Sequence, residues 1–183
     1  MTGKSETLMG KQHNLGVASE QAKHEIIANM DADVQVKKNT LQKGLRAFSN
    51  PKNGLVWFFS FYAGRGPVGG TLVANYLNNF YNVLVGGGTI TKTNPVISGP
   101  LWMMPKELFE KCREGNRLVQ TVSDDRELGY TIKELGYDTY LVPEAVKMPN
   151  ENLDLIGGAR HLSKWYGMLR AEGLIFYTII LFL

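Results

Sequence analysis

The sequence predicts an α/β fold with a mainly parallel sheet flanked by helices. Short apolar runs rich in β-branched and aromatic residues alternate with segments whose apolar residues recur at helical spacing. The predicted strands are Glu25–Met30, Leu55–Tyr62, Val96–Met104 and Tyr137–Val142. The predicted helices are Leu15–Lys23, Asn39–Phe48, Leu72–Leu84, one opened by Pro105, one ended by Gly136, and Leu153–Glu172. This alternation favours parallel strands, and ligands of parallel sheets bind at the carboxyl ends of the strands.

Turn and capping residues mark where these elements begin and end. Gly64–Gly70 interrupts the second apolar run, and Gly86–Gly88 predicts a flexible hinge after the third helix. Mobile loops or simple turns are the alternatives for both stretches. Pro105 suits the first position of a helix. Ser123 occupies the position of an N-cap, and Gly136 fits the position that follows a helix end.

Composition excludes several protein classes. The chain has 183 residues, 44% hydrophobic and 20% charged, which supports one core of domain size and excludes collagen-like and wholly disordered proteins. A net charge of +3 is too small to indicate a nucleic-acid partner. The single cysteine, Cys112, cannot form an internal disulfide, and with only 3 histidines a Cys/His zinc site is difficult to assemble.

The chain ends in an uncharged apolar segment, Gly173–Leu183. It is shorter than the roughly 20 apolar residues that span a bilayer. A buried terminal strand or a core helix is therefore one explanation. The preceding stretch Lys164–Arg170 mixes cations and aromatic residues as membrane-interface segments do, so we expect the start of a truncated membrane anchor.

Two aspartates, Asp31 and Asp33, follow the first predicted strand. Two carboxylates on a loop after a strand can share a hard divalent cation such as Mg²⁺ or Mn²⁺, whose remaining ligands include phosphate oxygens. A turn or capping role is the alternative.

Two further acids, Asp124 and Asp125, lie at the predicted start of a helix. Acids are common there because they stabilise the positive end of the helix dipole. Adjacent acids at the mouth of a pocket also favour proton uptake by one of them, which can then accept a proton from a sugar-acceptor hydroxyl. The two roles can coexist.

The last predicted helix carries a cationic and aromatic face. At helical spacing, His161, Lys164 and Trp165 fall together, and Arg160 is adjacent. Such a face beside a diphosphate would stabilise a departing nucleotide. A solvated basic flank next to a membrane anchor is the alternative.

The order of these motifs resembles the family-2 type of glycosyltransferases. Those enzymes combine a DxD motif, a later acid and a Q/R-x-x-R-W signature on a helix before membrane segments, here similar to Asp31–Asp33, Asp125 and His161–Trp165. The closest resemblance is to the ceramide glucosyltransferase branch, family 21. Lys11–Leu15 resembles its Lys-x-Asn-Asn-Leu element, and Ser98–Leu108 resembles its acceptor-side strand and helix. The resemblance runs from Lys11 to the end of the chain.

The resemblance implies a GT-A-like fold over residues 1–172, incomplete at its N-terminus, and a truncated transmembrane segment over 173–183. It implies inverting, metal-dependent transfer of a sugar from a nucleotide-sugar donor to a lipid, at the cytoplasmic face of a membrane. The implied roles are Asp31 and Asp33 for Mg²⁺ or Mn²⁺, Asp125 with Asp124 for catalysis, and Lys11, Asn14, Arg160, His161, Lys164 and Trp165 for substrate binding.

The chain departs from the family pattern in two ways. His161 stands where the family has glutamine or arginine, and Lys164 stands where it has arginine. Because lysine offers a point charge instead of a planar fork, we expect weaker diphosphate pairing, which Arg160 can partly restore. Family members also carry a membrane helix and a nucleotide-binding half ahead of the element at Lys11, so we expect this chain alone to transfer sugar poorly.

Two other functions fit the same residues. One is a non-catalytic, membrane-associated module that keeps the fold and binds a lipid or a protein partner. The other is a transferase that uses a polysaccharide or dolichol-phosphate acceptor and shares the DxD motif.

Overall fold

The computed structural model describes residues 10–63, 66–114, 118, 123–149 and 151–172. The four strands are β1 (Ile26–Met30), β2 (Asn53–Ala63), β3 (Leu101–Pro105) and β4 (Asp138–Pro149). The α-helices are α1 (Gly10–Gln21), α2 (Thr40–Ala47), α3 (Val68–Asn75), α4 (Asn82–Ile90), α5 (Lys106–Arg113), α6 (Asp124–Glu134) and α7 (Leu155–Glu172). A π-helix, Tyr76–Tyr81, joins α3 to α4 without a break.

The strands form one sheet in the order β1-β3-β2-β4. β3 is antiparallel to both of its neighbours, whereas β2 and β4 are parallel. β1, β2 and β4 therefore run in one direction, and β3 alone is reversed. The predicted α/β class is confirmed, but the sheet is mixed instead of mainly parallel, because two of the three pairings between the described strands are antiparallel. The carboxyl ends of β1, β2 and β4 lie at the edge where the chain enters β3.

Alternate residues of β2 face two separate apolar clusters. Leu55 and Trp57 are fully buried in the cluster that includes residues of α5 and α6. Val56 and Phe58, also fully buried, belong to the cluster that includes Val142 and Val146 of β4. Because burial of each large apolar side chain contributes about 1.5–3 kcal/mol, this strand is a main source of stability. Its apolar content on both faces is typical of a strand covered on both sides.

The predicted hinge at Gly86–Gly88 is wrong, because these glycines lie inside α4. A side chain at Gly86 would overlap the ring of Phe59, so the glycine lets the helix pack closely on the sheet. The predicted helix Leu72–Leu84 is three consecutive helical segments. Gly69 and Gly70 are likewise helical, and Gly69 packs against the backbone of Asp154. Gly64 lies outside the described residues.

Other element boundaries differ from the predictions by a few residues. β3 begins at Leu101, so the chain before it is a connecting segment, and β4 continues to Pro149. Pro105 ends β3 and occupies the N-cap position of α5 instead of its first helical position. Ser123 is the N-cap residue of α6, as predicted. Gly136 has a φ of 85°, which confirms its place after the helix end.

The first test concerns two helical glycines with opposite surroundings. A side chain at Gly129 of α6 would overlap the carbonyl oxygen of Pro95, whereas Gly87 of α4 faces open space. Gly129→Ala is expected to destabilise the chain by about 1–3 kcal/mol, because backbone cannot move aside as a flexible side chain can. Gly87→Ala is expected to stabilise it by about 0.5–1 kcal/mol, since alanine has the higher helix propensity.

Thermal denaturation followed by circular dichroism measures both effects. Each kcal/mol corresponds to roughly 2–4 °C in Tm for a chain of this size. Equal shifts in the two variants would show that α6 does not pack on the segment before β3 as described.

Candidate active site

A cavity of about 330 Å³ lies where β1 and β2 end and the segment before β3 begins. It is bordered by the first turn of α1, the start of α6, the π-helix and α7. The residues that line it include Lys11, Asp31, Tyr62, Tyr76, Asp125 and Trp165. Residues that are far apart in the sequence therefore share one concave surface, as is usual for small-molecule sites.

Lys11 joins two of the predicted acidic motifs. Its Nζ lies 3.7 Å from Oδ1 of Asp31 and 3.3 Å from Oδ2 of Asp124. Lys11 comes from α1, Asp31 follows β1, and Asp124 begins α6. The ammonium group thus bridges three elements that meet at this edge of the sheet.

Charges in this cluster perturb one another. Burial raises the pKa of Asp31, and Lys11 opposes this shift while the charges of Asp33 and Asp124 add to it. Burial lowers the pKa of Lys11, but Asp125, Asp124 and Asp31 together outweigh burial, so that pKa is above its ordinary value. Lys11 therefore offsets part of the repulsion among these carboxylates.

The segment Ser98–Pro100 supports two of the acids. The backbone N–H of Asp31 donates to the carbonyl oxygen of Pro100 at 2.9 Å. The carboxylate of Asp125 packs on Gly99 so closely that a side chain at that position would overlap it. The Ser98 hydroxyl lies 3.2 Å from that of Ser60, which connects the segment to β2. The segment therefore fixes Asp31 and Asp125 relative to each other.

Aromatic side chains form another wall of the cavity. The rings of Tyr76 and Trp165 are 6.3 Å apart, and Tyr76 also contacts Phe80 and Tyr166 at 5.5 and 5.8 Å. Burial, with a smaller effect of Tyr166, raises the pKa of Tyr76 to about 12. The Tyr76 hydroxyl therefore stays protonated at neutral pH.

Tyr62 lies where β2 reaches the cavity. Burial raises the pKa of Tyr62, and the charges of Glu151, Asp33 and Asp31 raise it further. Its hydroxyl is therefore a hydrogen-bond donor in acidic surroundings.

The structure brings together most of the residues that the sequence singled out. Lys11, Asp31, Asp125 and Trp165 line the cavity. Three others touch or influence that group: Asp124 through Lys11, Asp33 through its charge on Asp31, and His161 through Trp165. The remaining three, Asn14, Arg160 and Lys164, are exposed and do not line the cavity. The role of each residue stays a prediction.

Sequence reasoning missed several residues of the cavity. Arg126 lines it, and its guanidinium lies 5.0 Å from the centre of the Tyr130 ring. Its position next to Asp125 could have indicated this second cation. Tyr62 ends a predicted strand, and that position at the carboxyl edge is the signal that could have found it. Tyr76 carried no comparable signal, because its ring fits the predicted apolar stripe of a helix.

The residues of the DxD motif fit a divalent cation only in part. Among the described residues, no group of three or more His, Cys, Asp and Glu side chains is arranged to hold a metal ion. Mg²⁺ needs only one or two protein carboxylates when phosphate and water supply the other ligands. Asp33 is close enough for its charge to raise the pKa of Asp31. These oxygen donors therefore suit a hard cation that a diphosphate also binds.

The predicted membrane anchor, residues 173–183, lies outside the described residues. Within the described part of the chain, no helix combines the length and the apolar character needed to cross a bilayer. The division at residue 173 stays a prediction.

The sequence matches one protein family over nearly its whole length. The family described as glycosyl transferase family 21 matches residues 1–182. The chain belongs to glycosyl transferase family 21. The resemblance inferred from the motifs is thereby confirmed. No functionally curated protein matches the sequence significantly.

Among solved structures, this family 21 chain is similar to the mannosyltransferase PcManGT from Pyrobaculum calidifontis, in complex with GDP-Man and Mn²⁺. The TM-score is 0.58 at 23% sequence identity, over 90% of this chain and 45% of that structure. The likeness confirms the GT-A-like fold. The family 21 chain spans less than half the length of PcManGT.

The second test separates the opposite effects of two neighbouring charges on stability. Because the pKa of Asp31 is higher in the folded chain than its ordinary 3.8, ionised Asp31 reduces stability at neutral pH. Asp31→Asn is therefore expected to raise Tm at neutral pH. The gain should disappear as the pH falls below the ordinary carboxyl value. With 39% of the Asp31 side chain exposed, the gain should stay below about 1 kcal/mol.

Lys11→Met is the counterpart and should lower Tm at neutral pH by about 0.5–1 kcal/mol. The raised pKa of Lys11 means that its charge contributes stability below its ordinary value of 10.5, and the contribution is lost as the pH rises past the folded value. Denaturation curves at several pH values check both variants. A loss of stability in Asp31→Asn at neutral pH would contradict the charge balance described.

Proposed function

We propose that this protein transfers a sugar from a nucleotide-sugar donor to the hydroxyl group of a lipid acceptor, as a ceramide glucosyltransferase-like enzyme. The observation that carries the proposal is the meeting of Asp31 and Asp125 in one cavity, with Lys11 between the acidic motifs. Membership of family 21 supports sugar transfer as the reaction.

In this proposal, the DxD motif binds the donor diphosphate together with a divalent cation. Asp31 and Asp33 would hold Mg²⁺ or Mn²⁺, which supplies positive charge against the diphosphate when bound. Lys11 and Arg126, both at the cavity, add cationic groups from the chain itself. Fixed positive charges stabilise a transition state in which negative charge grows on the leaving diphosphate.

Asp125 is the proposed base. It accepts the proton of the acceptor hydroxyl while the hydroxyl oxygen forms a bond to the anomeric carbon of the donor sugar. The bond from that carbon to the diphosphate breaks, and the nucleoside diphosphate leaves with the bonding electrons. Because the acceptor attacks opposite the leaving group, this single displacement inverts the anomeric carbon. The packing of Asp125 on Gly99 supports the role, since a base must be held in place.

The aromatic wall suits the binding of sugar and acceptor. Tyr76 and Trp165 offer flat apolar faces next to polar groups, a combination that binds amphipathic ligands. Exposed apolar side chains on α3 and α7 support a lipid environment: Val68 and Leu72 on α3, Leu155 and Ile156 on α7. The two helices pack together where Gly69 meets Gly158. As part of the proposal, this side of the protein rests on the cytoplasmic face of a membrane.

The third test compares two adjacent aspartates. Asp125→Asn is expected to lower kcat by about 10²–10⁴, because general base catalysis contributes that much, while donor affinity stays near the wild-type value. Asp124→Asn, the matched control, removes an equal charge that acts through Lys11 and should lower kcat much less. The full chain is assayed with a nucleotide-sugar donor and ceramide-containing vesicles. The products are identified by mass spectrometry.

The acceptor panel also includes dolichyl phosphate and a soluble oligosaccharide. Transfer to one of these instead of ceramide would overturn the lipid acceptor proposed here. Equal activity in wild type and Asp125→Asn would overturn the role of the base. Vesicle binding without any transfer would favour the non-catalytic module.

The fourth test concerns the cation. Donor affinity, measured by calorimetry with and without Mn²⁺, is expected to fall about tenfold or more when EDTA is added or Asp33 is changed to asparagine. Asp138→Asn is the matched control, because Asp138 begins β4 at the other edge of the sheet and pairs with Lys92. Donor binding that is unaffected by EDTA would contradict metal dependence.

A further inference from the structure

We infer that Glu151 acts through His161 as a positioning residue for Trp165, the indole that forms one wall of the cavity. The inference deepens the proposed function and rests on it, because the orientation of Trp165 affects transfer only if the cavity takes a substrate.

His161 connects an acid to the indole. Its Nδ1 lies 2.9 Å from Oε2 of Glu151. Its ring meets the ring of Trp165 edge-on, with centroids 4.5 Å apart and planes at 77°. Because both residues lie on α7 four positions apart, their side chains stack along one side of the helix. The contact with the carboxylate fixes the imidazole, and the imidazole in turn limits the rotation of the indole.

The indole also meets Tyr76. Their rings are 6.3 Å apart, and Tyr76 lies in the π-helix. Trp165 therefore contacts a ring on its own helix and a ring on a different element. If His161 no longer contacted the indole, Tyr76 would be its one remaining aromatic neighbour among the described residues. The indole could then adopt more rotamers.

Glu151 follows β4 and precedes α7, at the same edge of the sheet as the DxD motif. Its charge contributes to the raised pKa of Tyr62, behind burial and together with Asp33 and Asp31. The carboxylate thus lies between the end of β2 and α7.

The contact between Glu151 and His161 is compatible with a histidine at this position of the family signature. Histidine stands at the signature position where glutamine or arginine is usual, and all three side chains can donate an N–H bond to a carboxylate. A donor at position 161 is therefore what the arrangement requires. His161→Gln should keep the contact with Glu151, and His161→Leu should abolish it.

The fifth test follows Trp165 directly by fluorescence. The other two tryptophans, Trp57 and Trp102, are buried. The fluorescence of each protein minus that of its Trp165→Phe counterpart therefore gives the emission of Trp165. Acrylamide quenching of Trp165 is expected to increase about twofold in His161→Leu and Glu151→Leu, since the indole loses an aromatic neighbour. His161→Gln should stay near wild type. His24→Leu, at an exposed histidine outside this cavity, is the matched control.

Kinetics provides a readout that a merely structural role would not move. His161→Leu is expected to raise the KM for the lipid acceptor roughly tenfold with a smaller change in kcat, because misplaced binding groups weaken substrate positioning. His161→Gln should restore KM.

The possible outcomes separate this inference from the proposed function. Unchanged quenching and KM in folded His161→Leu and Glu151→Leu would overturn the positioning role. If His161→Leu fails to fold, quenching and KM in Glu151→Leu and His161→Gln decide the question: values that stay at the wild-type level in both would overturn the positioning role. An absence of transfer in every protein, wild type included, would overturn the proposed function, while the quenching experiments would still decide whether the pair holds the indole.

Discussion

Carboxylates from two distant parts of the chain converge on the ammonium group of Lys11. Asp31 and Asp124 lie within 4 Å of it, and Asp125 also raises its pKa. Like charges gathered at a partly buried site repel one another, and Lys11 offsets part of that repulsion. Burial is the largest cause of the raised pKa of Asp31, and the charges of Asp33 and Asp124 add to it. The arrangement therefore suits the proposed roles of binding a cation and accepting a proton.

The topology of the sheet explains why these acids meet. Because β3 alone runs in reverse, the segment that leads into it arrives at the edge where β1 and β2 end. Within that segment, Pro100 accepts a hydrogen bond from the backbone of Asp31, and Gly99 leaves room for the carboxylate of Asp125. The small residues of this segment therefore set the separation between the proposed metal-binding motif and the proposed base.

The sequence predicted the parts of this site that depend on local pattern. An apolar run followed by two acids indicated the end of β1, and Ser123 with its acids indicated the start of α6. Local pattern failed where a distant contact decides the structure. Gly86–Gly88 is helical, and Gly86 is needed there because the ring of Phe59 lies where its side chain would be. Glu151 has no motif of its own, and its inferred positioning role depends on neighbours on β2 and α7.

The cavity itself results from an incomplete strand pairing. β2 pairs with β3 at Val56 and Trp57, whereas its pairing with β4 continues to Ala63. Beyond Trp57, side chains of the π-helix and of α4 bond to the β2 backbone. Asn78 accepts from the N–H of Tyr62 at 3.0 Å and donates to its carbonyl oxygen at 2.9 Å. Asn82 donates to the carbonyl oxygen of Ser60 at 2.7 Å. These amides satisfy backbone groups that a neighbouring strand would otherwise bind, and the wider π-helical turn places Tyr76 and Tyr81 on the cavity wall.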